Sequence, residues 1–231
     1  MKLTFNKKIV FGAVALLIAA AALLQNKCKA QAEIQGSYIS DFIERGVSIT
    51  DGAAQVQLDV GLPLENNLLP NTDVYASFQL TRPDGADNIR NVYVGTTVGT
   101  KLVQLDLGLR HFSAFEGFSD TELYGGVKLD VFGNPGVYVC NSQNLDFDTV
   151  ELRVSEGLKW GLLPEQVAVS VGGRVGHKNA TESSTFVDAN VTVAYAVTDK
   201  TQVFVAAIGG TSTATGTEDV VGLQAGVRSS F

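Results

Sequence analysis

Apolar residues recur at every second position along most of the chain, and this alternation constrains the fold more than any other feature. Successive side chains on a β-strand point to opposite faces, so a period of two predicts strands with one apolar and one polar face. No amphipathic helix pattern is found after Glu33. The alternation is clearest in the segments 56–62, 103–110, 122–131, 150–155, 167–175 and 187–195. The sequence therefore predicts an all-β fold.

Two classes of β protein show this alternation. In a soluble β-sandwich the apolar faces pack together, and in a transmembrane β-barrel they turn to lipid. The predicted strands are mostly long enough to cross a bilayer at a tilt, which takes about 9–11 residues. Their polar faces carry Gly, Gln and charges of both signs, as a wet lumen would. We therefore expect a closed antiparallel transmembrane β-barrel, because lipid offers no hydrogen-bond partner to an open sheet edge.

Turn residues divide the chain into about twelve strands, with ten as the alternative. The predicted strands are 34–44, 53–63, 72–82, 90–98, 101–113, 119–132, 136–142, 147–160, 166–176, 185–197, 200–210 and 219–231. Short links such as 99–100 alternate with longer ones such as 177–184, although 64–71 is long where a short link is expected. This alternation is typical of tight periplasmic turns and longer extracellular loops.

Aromatic residues lie near several predicted strand ends, where they would form girdles at the two membrane surfaces. Ordinary aromatic packing is the alternative for each of them. These residues are Tyr38, Phe78, Phe112, Trp160, Phe186, Tyr195 and Phe231.

The first 32 residues differ from the rest in charge and hydropathy. They contain five lysines and no Asp or Glu, and an apolar run from Ile9 to Leu24 follows the basic start. Ala30-Gln31-Ala32 then supplies the small residues of a cleavage site. This layout predicts a signal peptide over residues 1–32 and a mature barrel domain over 33–231. An uncleaved anchor helix is the alternative.

Composition argues against several other classes of protein. The chain has 2 Cys, too few for a disulfide scaffold, and its net charge of -7 argues against nucleic-acid binding. The 2 His have no companion ligands at metal spacing, so we expect no metal or cofactor. Enzymes that act on membrane lipids also occur on such barrels. However, His111, His177 and Cys140 belong to no recognisable catalytic set, so we expect no enzymatic activity.

The segment 40–52, with the sequence SDFIERGVSITDG, and the following Gln57 and Asp59 resemble the opening motif of the TorF family of porin-like proteins. The shared pattern is serine, aspartate, an aromatic residue, then arginine-glycine and a second serine and aspartate. Glu44 departs from it, because that family usually has an aromatic or basic residue there. The resemblance implies a bacterial outer-membrane β-barrel with a porin-like function, and it supplies no catalytic residues.

The C-terminal segment also resembles that of bacterial outer-membrane barrels. An alternating strand, with Val221, Leu223 and Val227 on its apolar face, ends in Phe231. Ser229 departs from the pattern, which usually has an aromatic or apolar residue there. The resemblance implies that the barrel assembly machinery recognises Phe231.

The polar faces of the predicted strands would line a lumen. The predicted pore-lining residues are Asp59, Asp106, Arg110, Glu122, Lys128, Asp130, Glu151, Arg153, Arg174 and Arg228. Arg45 is predicted to pair with Asp41 or Asp59 across the first hairpin. Because twelve strands enclose only a narrow lumen, we expect a passive channel for ions or small polar solutes in the bacterial outer membrane, surrounded by lipid. The alternative is a non-conducting structural or surface-interaction barrel, whose inward salt bridges block the lumen.

Overall fold

The computed structural model describes residues 30–64, 72–84, 87–114, 118–145, 147–158, 163–214 and 216–231. They form a closed barrel of twelve antiparallel strands, in which each strand pairs with its sequence neighbours and β1 closes against β12. The strands are β1 Gln31–Glu44, β2 Val47–Leu64, β3 Thr72–Pro83, β4 Ile89–Gly99, β5 Val103–Ala114, β6 Phe118–Leu129, β7 Gly136–Ser142, β8 Asp148–Leu158, β9 Val167–Asn179, β10 Ser184–Ala196, β11 Thr201–Ser212 and β12 Val220–Ser230. The twelve-strand prediction is confirmed, and the sandwich and the ten-strand barrel are excluded.

The apolar side chains face outward. Leu105, Val127 and Val193 are 50%, 43% and 47% exposed, whereas the ionisable side chain of Glu151 is fully buried inside the barrel. In a soluble protein this distribution would be reversed. The exterior is therefore that of a transmembrane barrel, whose closed sheet leaves no unpaired edge in hydrocarbon. None of the described residues forms a helix long and apolar enough to cross a bilayer.

Because the number of antiparallel strands is even, the start of β1 and the end of β12 lie at the same end of the barrel, which we call the terminal end. Its links are 65–71, 100–102, 130–135, 159–166 and 197–200. The opposite end, the loop end, has the links 45–46, 84–88, 115–117, 143–147, 180–183 and 213–219. The links at the loop end are no longer than those at the terminal end, so the predicted alternation of short and long links is wrong. Strand pairing continues beyond the alternating segments, as at Lys178 and Ser184, because backbone hydrogen bonds do not require apolar side chains.

The first hairpin also differs from the prediction. Its turn consists of Arg45 and Gly46 alone, and β2 already begins at Val47, where a turn reaching to Gly52 was predicted. Both turn residues have positive φ, 51° and 75°, as the tightest two-residue hairpin turn requires.

The aromatic residues divide between the two faces. Tyr38, Phe78, Tyr195 and Phe231 are exposed. Phe78 lies in the middle of β3 rather than near its end, and the girdle at the other three positions stays a prediction. Phe112 and Phe186 are not girdle residues, because each ring lies inside the barrel against an arginine. Trp160 and residues 1–29 lie outside the described residues, so the signal peptide stays a prediction.

Candidate functional site

The first hairpin leaves the barrel wall and folds into the lumen. Pairing between β1 and β12 ends at Ile39 and Gln224, and the next backbone N–H of β12, that of Leu223, donates to the hydroxyl of Ser40 at 2.8 Å. A register shift between Phe42 and Ile43 then changes the direction of β1, as β-bulges do. The hairpin beyond Ser40 is therefore inside the barrel rather than part of its wall.

Apolar packing holds the inward hairpin on one side. Ile39 and Phe42 form a buried cluster with Ile89 of β4 and Ala114 of β5. On the other side Gly210 of β11 gives it room, since a Cβ at Gly210 would lie 2.7 Å from Ile43 Cγ2. Burial of this apolar surface stabilises the inward position.

Residues Glu44, Arg45 and Gly46 form the hairpin tip, which reaches across the lumen to the opposite wall. The Arg45 guanidinium donates to both carboxylate oxygens of Glu122 on β6, at 2.6 and 3.0 Å, and to Glu151 on β8 at 3.2 Å. In the closed strand order, β6 and β8 stand opposite β1. The predicted pairing of Arg45 with Asp41 or Asp59 is therefore wrong, because the turn carries the side chain across the lumen and away from its own hairpin.

Glu44 and Gly46 attach the tip to other strands. The Glu44 carboxylate accepts from Arg110 of β5 at 2.9 Å and lies 3.5 Å from Arg174 of β9. The Gly46 N–H donates to Asp188 of β10 at 2.5 Å. The tip thus bonds to five strands of the wall, which fixes its position in the lumen.

These contacts join eight charges into one chain of ion pairs with alternating sign. From one ion pair to the next, rather than along the sequence, the order of these residues is Arg153, Glu151, Arg45, Glu122, Arg110, Glu44, Arg174 and Asp188. Four cations balance four anions. Buried charges are tolerated only when paired and hydrogen-bonded in this way. The alternation predicted which charges of the wall face inward, but it missed that Glu44 joins them.

Each arginine in the chain of ion pairs also lies against an aromatic ring. Arg153 stands 4.0 Å from the ring centroid of Tyr138, and Arg174 stands 5.6 Å from that of Phe186. Arg45 lies at a similar distance over Phe147. Such cation–π contacts add to the electrostatic stabilisation and hold each guanidinium in one orientation.

The hairpin tip and the ion pairs divide the lumen into two cavities. A cavity of about 660 Å³ opens toward the terminal end, where it reaches Lys128 and Gly136. A smaller one of about 250 Å³ opens toward the loop end, where it reaches Leu145 and Phe147. Arg110 and Glu122 line both cavities. The tip with its partners therefore lies between the two cavities.

Three tyrosines of the terminal-side cavity surround one carboxylate. Tyr75 and Tyr138 donate to the two oxygens of Asp106, at 2.6 and 3.2 Å, and the hydroxyl of Tyr124 contacts that of Tyr75. Each ring lies over a glycine of a neighbouring strand; the Tyr138 ring, for example, occupies the place of a Cβ at Gly126. The alternation of apolar and polar residues does not single out Tyr75 and Tyr138, although each inward tyrosine is paired with an inward glycine on the preceding or following strand, a pattern that the sequence contains.

The remaining predicted pore residues lie apart from the ion pairs. Asp59 accepts from Gln57 at 2.8 Å, and Arg228 donates to Gln202 at 2.8 and 2.9 Å. Lys128 lines the terminal-side cavity. Asp130 follows the last residue of β6 and is exposed at the terminal end. That these residues line a conducting pore stays a prediction. Among the described residues no group of ligands suits a metal ion.

Comparison with known proteins shows a likeness of fold. No protein-family model and no curated protein sequence matches the chain. A KdgM porin in complex with disordered oligogalacturonate shares 11% identity at a TM-score of 0.55, over 87% of this chain and 99% of its own. The NanC porin shares 11% identity at a TM-score of 0.56, over 86% of this chain and 98% of its own. The chain thus has the fold of bacterial outer-membrane porin barrels.

Proposed function

We propose that the chain is a passive channel of the bacterial outer membrane for ions or small polar solutes, with the hairpin tip as its constriction. The observation that carries the proposal is the division of a charged lumen into two open cavities by Glu44, Arg45 and Gly46. A polar interior of this kind replaces the hydration of a passing solute, and its narrowest point sets the size limit. The termini are then periplasmic and the loop end extracellular.

The resemblance of segment 40–52 to the TorF family supports a porin-like role. The Arg45-Gly46 pair at the centre of this motif forms the turn of the hairpin tip. A solved barrel of the same fold holds an oligosaccharide, so a polar solute is compatible with the architecture. We further propose that the assembly machinery recognises Phe231 and that the chain has no enzymatic activity.

The second candidate is a non-conducting structural barrel. The balance of four cations and four anions around the tip favours it, since fully paired charges hold the tip in place and leave no free charge at the constriction. The two candidates differ in one property, the conductance of the purified protein.

Single-channel recording in planar bilayers tests the proposal. We expect discrete channels from the unaltered chain. We expect higher conductance from Arg45→Ala, because the tip loses its bonds to β6 and β8. The same change leaves one excess negative charge among the ion pairs, so the reversal potential in a KCl gradient should shift toward cation preference.

Arg90→Ala is the matched control, because it removes an arginine that is exposed near the loop end and outside the ion pairs. It should leave conductance and reversal potential unchanged. Absence of channels from both the unaltered chain and Arg45→Ala, with folded protein in the bilayer, would establish the structural barrel instead.

A further inference from the structure

Asp120 lines the smaller cavity, which opens toward the loop end and which we call the loop-side cavity. Its Oδ1 accepts from the backbone N–H groups of Thr121 and Asn144, at 2.8 and 3.3 Å, and from the hydroxyl of Ser142 at 2.9 Å. Its Oδ2 has no donor among the described residues, although Asp120 is only 3% exposed. A buried carboxylate oxygen without a donor is costly, so an incoming N–H group would gain a hydrogen bond there.

Lys178 adds a cation to the same cavity. Its ammonium lies 4.2 Å from the centroid of the Phe147 ring. Within the part of the chain that the structure describes, no carboxylate is close enough to form an ion pair with it. An ammonium group has three donors, so Lys178 can hold an acceptor while it stays over the ring.

A short series of contacts along the wall connects the two charges. The hydroxyl of Ser142 on β7 donates to Asp120 of β6, and the N–H of Ser142 donates to the carbonyl of Phe147 at 2.9 Å. Phe147 precedes β8, and Lys178 follows on β9. The backbone positions of Asp120 and Lys178 are thus three strand spacings apart, about 14 Å. The two side chains cover part of that distance, and a ligand with a cation and an anion on one carbon can cover the remainder.

The other charged side chains that line the loop-side cavity belong to the chain of ion pairs and bind one another. They are Arg45 with Glu122 and Arg110 with Glu44. Asp120 and Lys178 therefore contribute one anion and one cation outside those pairs. A solute with a single charge leaves one of the two unmatched, whereas a zwitterion matches both.

Most of the remaining lining is apolar. It includes Ile49 of the inward hairpin, Leu145, and the rings of Phe112, Phe147 and Phe186. Apolar surface on a ligand would be removed from water against these side chains, which favours binding.

We propose that the loop-side cavity binds a free α-amino acid with an apolar side chain. The ammonium of the ligand donates to Asp120 Oδ2, its carboxylate accepts from Lys178, and its side chain lies against the apolar lining. The cavity volume, about 250 Å³, is just below the range for drug-sized ligands, which suits a single amino acid. The proposal rests on the proposed function in that the bound amino acid is a solute that the channel admits.

Calorimetry on the folded full chain in detergent tests the site with L-leucine as the probe. Three analogues each lack one recognised group: 3-methylbutylamine has no carboxylate, 4-methylpentanoate has no ammonium, and glycine has no apolar side chain. We expect L-leucine to bind and each analogue to bind at least about tenfold more weakly, the loss expected for one charge-assisted hydrogen bond or one buried apolar side chain.

Two conservative variants separate the two charges. Asp120→Asn keeps the shape and the acceptor at Oδ1, so it should weaken L-leucine binding about tenfold but should not weaken that of 4-methylpentanoate, which has no ammonium. Lys178→Gln should weaken L-leucine binding by a similar factor but should not weaken that of 3-methylbutylamine, which has no carboxylate. A variant that only disturbed the structure would weaken the binding of all ligands alike.

Asp199→Asn and Lys200→Gln are the matched controls, because they make the same changes at exposed residues in the link between β10 and β11. Both should bind L-leucine like the unaltered chain. Folding of every variant is checked by its heat-modifiable migration in gels.

Two results would overturn the inference: equal binding of L-leucine and its three analogues, or unchanged L-leucine binding by folded Asp120→Asn. The outcome is separable from the proposed function. A chain that conducts but does not bind L-leucine contradicts the site alone. A chain that binds L-leucine through Asp120 and Lys178 but never conducts supports the site and contradicts the channel.

Discussion

Arg45 adopts a backbone conformation that residues with a Cβ rarely adopt, with a φ of 51°. Left-handed backbone costs such a residue about 1–2 kcal/mol. Three hydrogen bonds from its guanidinium to Glu122 and Glu151 offset this cost, since each charge-assisted bond contributes about 1.5–3 kcal/mol. The strained turn thus projects a side chain whose hydrogen bonds to Glu122 and Glu151 are made across the lumen.

Gly46, which follows Arg45 in the hairpin tip, has no room for even one side-chain atom. A Cβ at Gly46 would lie 2.0 Å from the carbonyl oxygen of Thr211, and its φ is 75°. Gly46→Ala should therefore displace the tip, raise single-channel conductance, and lower the free energy of unfolding by about 1–3 kcal/mol. Bilayer recording and urea titration measure the two effects.

Gly216→Ala separates backbone strain from collision. Gly216 has nearly the same φ, 79°, but nothing within 4 Å of a Cβ. It should lose only about 1–2 kcal/mol of stability, the cost of left-handed backbone in a residue with a Cβ, and conduct like the unaltered chain. Equal conductance of both variants and the unaltered chain would show that the tip is not the constriction.

At the scale of the strands, tyrosines and glycines share the inner wall of the barrel. A Cβ at Gly126 of β6 would lie 2.4 Å from the ring of Tyr138, and one at Gly108 would lie 2.4 Å from the hydroxyl of Tyr124. The rings therefore need glycine beside them to lie flat against the wall. The same rings surround Asp106 and support Arg153.

Gly126→Val tests this arrangement. The branched side chain would force Tyr138 away from the wall, and overpacking of this kind costs about 1–3 kcal/mol. Urea unfolding in lipid vesicles should show the loss. Gly157→Val on β8, where a Cβ has nothing within 4 Å, should unfold close to the unaltered chain. An equal loss in both variants would mean that valine at a former glycine, rather than contact with the ring, is responsible.

The strands themselves could be predicted from the sequence, because alternation reports directly which side chains meet lipid. The alternation predicts Leu105 and Val127 on the outer face and Arg110 and Glu122 on the inner face, which is where the structure has them. The inward fold of the first hairpin could not be predicted. The partners of its tip lie 66 to 142 residues further along the chain, and alternation carries no information about contacts across a lumen.

At the scale of the molecule, a transmembrane barrel of twelve strands must fill its interior with something other than an apolar core. The outer face is apolar, as at Leu105 and Val193, and hydrocarbon solvates it. The interior is filled by paired charges, by tyrosines against glycines, and by a hairpin of the chain's own wall. On the proposed function this hairpin is the constriction, and its position decides whether the lumen conducts.

Disulfide trapping tests that position most directly. Ile43 near the tip and Gly210 on β11 are replaced by cysteine in a Cys140→Ala background, because a Cβ at Gly210 would lie 2.7 Å from Ile43 Cγ2. The inward hairpin predicts rapid, near-complete cross-linking within one folded chain under mild oxidation, while cysteines at Ile43 and Gly157 stay free. A folded barrel in which the pair at 43 and 210 does not cross-link would contradict the account.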